Sequence, residues 1–89
     1  MKSYLTHDFI ACFRRLPHDV RDKVGKNYRL WLRDSSHPSL QFKPIHSREP
    51  IYSVRIGISW RALGLWEGDT VNWFWIGSHA DYDKLIEAL

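Results

Sequence analysis

Five side chains of this sequence have the types and positions that phosphate chemistry would use. Three are cations on segments of alternating polarity, and the other two are a histidine and a tyrosine that follow the last such segment. Arginine and lysine can hold a phosphate and stabilise the charge that grows on it during a reaction. A histidine can serve as a general acid or base near neutral pH. The set consists of Lys43, Arg55, Arg61, His79 and Tyr82.

Cleavage of RNA through its own 2′-hydroxyl group needs only these roles, with no metal ion and no cofactor. Each side chain also has a plainer interpretation. Arg55 would suit a polar sheet face, His79 the first turn of a helix, and Tyr82 simple packing. Arg61 alternates with two leucines on a face that looks buried, where an unpaired cation is costly, and this favours a functional role.

The remaining reactive residues indicate no further site. The histidines are scattered rather than spaced as metal ligands, so we expect no zinc site. The single cysteine, Cys12, cannot form an internal disulfide, and we interpret it as a small buried side chain. Trp73 and Trp75 could stack on nucleobases, but aromatic residues on a central strand are more often part of the core.

Length and composition indicate one folded domain over residues 1–89. The chain is 44% hydrophobic and 15% aromatic, which is too apolar for a disordered segment. Residues 14–61 hold eleven lysines and arginines against four acids, a net charge of +7, whereas residues 62–89 carry −4. The basic middle could meet a polyanion, or its helix arginines could form a solvated face. The sequence shows no export leader and no apolar run long enough for a bilayer, so we expect a cytoplasmic protein without membrane contact.

The first part of the chain predicts a short edge strand followed by two helices. Residues 2–5 suit the strand, and Thr6 is a good helix N-cap. Apolar residues then recur at helical spacing, and Pro17 divides them into two helices, the second of which runs to about residue 33. The two helices would form an antiparallel hairpin joined at Leu16-Pro17. Its inner face would carry Phe9, Phe13, Leu16, Val20, Val24, Tyr28 and Trp31.

After a loop at residues 34–38 the apolar period changes from 3.6 to 2, which predicts strands. A hairpin turn at Glu67-Gly68-Asp69 would join the last two of them. Ser78 would cap a closing helix that packs through Tyr82, Leu85 and Leu89. The predicted fold is therefore α+β, a helical hairpin against a mainly antiparallel twisted sheet with a short C-terminal helix. The predicted strands cover residues 40–43, 52–57, 61–66 and 71–76.

Taken in order, these motifs resemble the RelE/ParE superfamily of type II toxin–antitoxin toxins. Each motif alone is loose, but their succession along nearly the whole chain is fairly specific. The resemblance implies a compact RelE-like, microbial RNase-like fold. The motifs are Leu16-Pro17, His37-Pro38-Ser39-Leu40, Phe42-Lys43, Tyr52-Ser53-Val54-Arg55-Ile56-Gly57, Trp60-Arg61-Ala62-Leu63, and Trp75-Ile76-Gly77-Ser78-His79 followed by Tyr82-Asp83.

The resemblance also implies an activity and residue roles. RelE-like members cut mRNA in the ribosomal A site and so inhibit translation. By position, Arg61 matches the arginine expected at the scissile phosphate, and His79 matches the catalytic histidine of YafQ-type toxins. Tyr82 lies near the C-terminal tyrosine that RelE uses. A cognate antitoxin would cover the basic groove in a higher hetero-oligomer. Arg55 would assist catalysis, and RNA binding would fall to Lys43, Arg48 and Arg55.

Two departures from the RelE-like pattern keep other functions open. RelE-like toxins are usually more basic than the +3 of this chain, and the first strand after the helices carries only one lysine, Lys43. ParE-like members instead inhibit DNA gyrase by binding it, and they lack the catalytic set. A degenerate member that only binds a partner or DNA is the third interpretation.

Overall fold

The computed structural model describes residues 1–89 as five strands, three α-helices and one 3-10 turn. The helices are α1 (His7–Arg14), α2 (His18–Arg33) and α3 (His79–Glu87), and the 3-10 turn covers Pro38–Leu40. This order of elements confirms the predicted α+β fold. The strands are β1 (Lys2–Leu5), β2 (Lys43–Pro44), β3 (Ile51–Ile56), β4 (Trp60–Glu67) and β5 (Thr70–Ser78).

All five strands join one sheet in the order β1-β5-β4-β3-β2. Neighbours from β2 to β5 pair antiparallel, and only β1 runs parallel to its neighbour, β5. The predicted hairpin turn between β4 and β5 is confirmed, with Gly68 at a φ of +63°. The β4–β5 hairpin therefore forms the centre of the sheet, and the start of β4 and the end of β5 both lie beside the start of α3. None of the helices has the length and apolar character needed to cross a membrane.

Helices cover both faces of the sheet. α1 and α2 lie over one face, where Val54, Ala62 and Trp73 belong to the larger core cluster. α3 lies over the other face, where Leu63 and Tyr82 belong to a smaller cluster. The predicted inner face of the helical hairpin is confirmed, because its members are buried or packed against the larger cluster. Those residues are Phe9, Phe13, Leu16, Val20, Val24, Tyr28 and Trp31.

Two predicted caps are confirmed and fix where the helices begin. Thr6 Oγ1 accepts a hydrogen bond from the backbone N–H of Phe9 at 3.2 Å and donates one to the carbonyl of Trp73 at 2.8 Å. This side chain therefore caps α1 and ties it to β5. Ser78 Oγ accepts from the N–H of Asp81 at 3.1 Å and caps α3.

Two expectations from the sequence are wrong. The predicted strand over residues 40–43 is reduced to the two residues of β2, because the preceding 3-10 turn ends in a left-handed residue, Gln41, at a φ of 44°. Leu89 does not pack on the domain and is 50% exposed, because α3 ends at Glu87 and the last residues leave the helical register. Ile86 packs against the smaller cluster instead.

Gly64 marks the tightest approach between β4 and β5. The register shifts there, so that Leu63 lies opposite Trp75 whereas Gly64 lies opposite Trp73. A Cβ atom on Gly64 would lie 2.6 Å from Val71 Cγ1 and 2.9 Å from Trp73 Cε3. Both of these neighbours are buried, so they have little room to give way.

We therefore expect Gly64→Ala to lower the free energy of unfolding by about 1–3 kcal/mol through overpacking. The matched control is Gly25→Ala in α2, where a Cβ atom would meet nothing closer than Arg29 Nη1 at 3.5 Å. That substitution should raise stability by up to about 1 kcal/mol, because alanine is the better helix former. Urea unfolding of the two variants measures both effects, and similar changes in the two would contradict this account.

Candidate functional site

A polar cavity of about 120 Å³ opens on the α3 side of the sheet. It brings together all five candidates for phosphate chemistry, which come from β2, β3, β4 and α3. Arg48, the remaining residue expected to bind RNA, does not line it and lies in the exposed loop between β2 and β3. The lining residues are Gln41, Lys43, Ser53, Arg55, Arg61, His79 and Tyr82.

Arg55 and Arg61 are directly opposed partners on β3 and β4. Like charges in this position destabilise a sheet, and neither guanidinium pairs with a carboxylate. Burial, and after it the charge of Arg55, lower the pKa of Arg61, while Tyr82 and Asp83 act in the opposite direction. The pair is thus electrostatically unfavourable in the free protein, and an anion bound between the two guanidiniums would relieve it.

Backbone carbonyls of the turn Gly57-Ile58-Ser59, between β3 and β4, accept hydrogen bonds from Arg55, Arg61 and His79. Arg55 Nε donates to the first carbonyl of the turn at 3.1 Å, and Arg61 Nη1 donates to the second at 3.1 Å. The backbone N–H of His79 donates to the third at 2.7 Å. One short turn therefore fixes both guanidiniums relative to the first residue of α3.

His79 is the first residue of α3 and directly follows the Ser78 cap, and its side chain lines the cavity. Its Nδ1 lies 3.0 Å from Asp83 Oδ2, one helical turn further on. Its ring meets that of Tyr82 edge to face, with centroids 6.0 Å apart and planes at 71°. Asp83 was not among the predicted site residues, although its spacing of four residues from His79 on a predicted helix was a signal for this contact.

Tyr82 is both a packing residue and a cavity residue. It is buried at 8% exposure in the cluster with Leu63, and it lines the cavity beside His79. The interpretation of Trp73 as core is confirmed, since it is 3% exposed. Trp75 is partly buried and packs against the smaller cluster.

Two cavity residues, Ser53 and Gln41, were missed from the sequence. Ser53 is 3% exposed and lies opposite Lys43 on one side and Leu63 on the other. The alternation of β3 places it on the polar face, which was the available signal, but it does not reveal that α3 covers that face. Gln41 reaches the cavity through its left-handed backbone, and no sequence pattern signals this.

The other reactive residues form no second cluster. No three His, Cys, Asp or Glu side chains are grouped as metal ligands. His37 and His46 order their own loops, because each accepts a backbone N–H at Nδ1. Cys12 is an unpaired, partly buried thiol that packs against the larger core cluster.

The sequence matches one family, and the fold matches several solved structures. A family model described as ParE-like toxin domain matches residues 31–84, which is more than half of the chain. No curated protein sequence matches the chain significantly. A chain of the RelB-RelE antitoxin-toxin complex from Methanococcus jannaschii has a TM-score of 0.74 at 16% identity, covering 92% of this chain and 96% of that one.

Two E. coli toxins are similar at comparable levels. YafQ has a TM-score of 0.68 at 11% identity, covering 91% of this chain and 96% of its own. The isolated RelE toxin has a TM-score of 0.66 at 12% identity, covering 99% of this chain and 98% of its own. Such low identities show a shared fold alone, so the assignment rests on the family match, with which the fold agrees. The chain belongs to the ParE-like toxin domain family.

Proposed function

We propose that this toxin is an endoribonuclease that cleaves mRNA on the ribosome and so inhibits translation. The observation that supports this proposal is the opposed pair Arg55 and Arg61, unpaired with any acid, in one cavity with His79. A purely structural sheet face gains nothing from two facing guanidiniums. A phosphodiester bound between them would turn the repulsion into two charge-assisted contacts.

The proposed reaction uses the RNA's own 2′-hydroxyl as nucleophile. The 2′-oxygen bonds to the adjacent phosphorus and the bond from phosphorus to the 5′-oxygen breaks, which leaves a 2′,3′-cyclic phosphate and a 5′-hydroxyl. Arg61 and Arg55 hold the non-bridging oxygens and stabilise the added negative charge, with Lys43 in support. His79 transfers one of the two protons, either taking it from the 2′-hydroxyl as a base or giving it to the leaving 5′-oxygen as an acid. Water accepts or donates the other proton.

His79→Ala should lower mRNA cleavage in a translation extract by about 100- to 10,000-fold, the usual contribution of a general acid or base. The matched control is His18→Ala, which removes a histidine from the same position at the start of α2, outside the cavity. The control should cleave as the unaltered protein does. Mapping 5′ ends on a reporter mRNA measures both, and undiminished cleavage by His79→Ala would overturn the assignment.

Arg55→Gln should separate stability from activity. Loss of one facing guanidinium relieves the cross-strand repulsion, so the free energy of unfolding should stay constant or rise by about 0.2–1 kcal/mol. RNA cleavage should fall at least tenfold, because one phosphate contact is lost. Arg29→Gln, on an exposed position of α2, is the control and should change neither quantity. A variant that loses stability while keeping full cleavage would show that Arg55 is structural.

We further propose that a cognate antitoxin neutralises this toxin by covering the cavity, within a higher hetero-oligomer in the cytoplasm. The M. jannaschii RelE structure is itself a complex with RelB. The net charge of +7 over residues 14–61 favours an acidic antitoxin segment as the covering element.

Inhibition of DNA gyrase by binding is the second candidate function. It is favoured by the ParE-like description of the family model and by the presence of only one lysine, Lys43, in the cavity. In that case the His79→Ala variant would still arrest growth and block DNA supercoiling, with no RNA cut by either protein. Expression without any growth arrest would indicate a member that only binds a partner.

A further inference from the structure

Two histidines of this protein each begin a helix and each have an aspartate four residues later. In α3, His79 Nδ1 lies 3.0 Å from Asp83 Oδ2, and the side chains are 46% and 54% exposed. In α2, His18 Nε2 lies 3.6 Å from Asp22 Oδ2, and the side chains are 82% and 63% exposed. The α3 pair is therefore shorter and more shielded, and it uses the other ring nitrogen.

Helix stability gives little reason for either pair. A positive charge at the first residue of a helix faces the positive end of the helix dipole, and an acid preceding a base is the more favourable order. Exposed pairs at this spacing contribute only about 0.3–0.5 kcal/mol. What distinguishes Asp83 from Asp22 is the position of its partner, because His79 lines the cavity with Arg61 and His18 does not.

The contact would determine which ring nitrogen of His79 can exchange a proton with a substrate. A carboxylate only accepts hydrogen bonds, so a neutral imidazole that donates to Asp83 across the 3.0 Å contact would carry its hydrogen on Nδ1 and its lone pair on Nε2. A free imidazole in water favours the opposite arrangement. The edge-to-face contact with Tyr82 further restricts the ring.

We propose that Asp83 is the positioning residue that fixes the tautomer and orientation of His79, so that Nε2 is the nitrogen that transfers the proton. The inference rests on the RNA-cleaving function proposed above. Asp83 touches no substrate atom in this scheme and acts only through His79. The arrangement parallels the aspartate that orients histidine in hydrolytic triads, although here a single helix turn supplies both groups.

Asp83 should also weaken substrate binding. Its carboxylate is close enough to Arg61 to oppose the lowering of that residue's pKa by burial and by Arg55. The negative charge of Asp83, so near Arg61, would also repel an RNA phosphate that Arg61 holds. A positioning role therefore predicts that loss of Asp83 slows the chemical step without weakening substrate binding, which a purely electrostatic or folding role does not predict.

Asp83→Ala should lower kcat for RNA cleavage by about 10- to 100-fold, a part of the general acid–base effect, while KM stays constant or falls. Asp22→Ala is the matched control in α2 and should leave both constants unchanged. Asp83→Asn keeps a carbonyl that can accept from Nδ1, so its kcat should lie between those of Asp83→Ala and the unaltered protein. If Asp83→Ala behaves like Asp22→Ala in a protein that cleaves RNA, the positioning role is wrong and the proposed function stands.

A second measurement needs no activity. The ¹⁵N–¹H spectrum of the histidine rings, recorded at alkaline pH where the imidazoles are neutral, reports which nitrogen bears hydrogen. His79 should carry it on Nδ1 in the unaltered protein and shift toward Nε2 in Asp83→Ala, while the His18 signals stay the same. An unaltered protein with hydrogen mainly on Nε2 of His79 would overturn the inference. Absence of RNA cleavage by the unaltered protein would overturn the proposed function, and the spectrum would still decide the orientation of His79.

Discussion

The architecture depends on burying both faces of β4. Ala62 faces the helical hairpin and is 3% exposed, whereas its neighbour Leu63 faces α3 and is fully buried. Because apolar area on two sides must be removed from water, the chain has to return across the sheet after β5. Tyr82 makes that return stable by packing on Leu63. The same contact places the start of α3, with His79, beside the start of β4, where Arg61 lies. The packing of the core therefore also assembles the site.

Much of the fold follows from periodicity, but the coverage of its surfaces does not. The alternation of β3 predicts that Val54 and Ile56 face the helices, and both are buried there. The same alternation makes Ser53 look solvent-facing, although it is 3% exposed. A polar residue on a strand does not reveal whether a distant helix will cover it. The strand predicted over residues 40–43 was too long for a related reason, because the left-handed residue Gln41 follows from the preceding 3-10 turn and not from residue alternation.

The composition of the site was easier to predict than its geometry. Residue types and antiparallel neighbours suffice to expect Arg55, Arg61 and His79 near one another. The direct opposition of the two arginines depends on strand register, which the length of the β3–β4 turn sets. The contact of Asp83 with His79 depends on rotamers within one helix turn. Arg48 lies on an exposed loop outside the cavity, a position that its closeness to a strand in the sequence does not reveal.

The turn Gly57-Ile58-Ser59 contributes only carbonyl oxygens to the two guanidiniums and to α3. Every amino acid carries such an oxygen, so these contacts do not depend on the side chains of Ile58 and Ser59. Gly57 is the exception, because its φ of 62° favours glycine. Ile58 is 78% exposed, so its side chain contributes little to packing. The length of the turn has no such freedom, because one inserted residue would displace three anchoring oxygens together. The turn should therefore tolerate a change of side chain at Ile58 or Ser59 better than a change of length, because its spacing and not its side chains holds the cavity together.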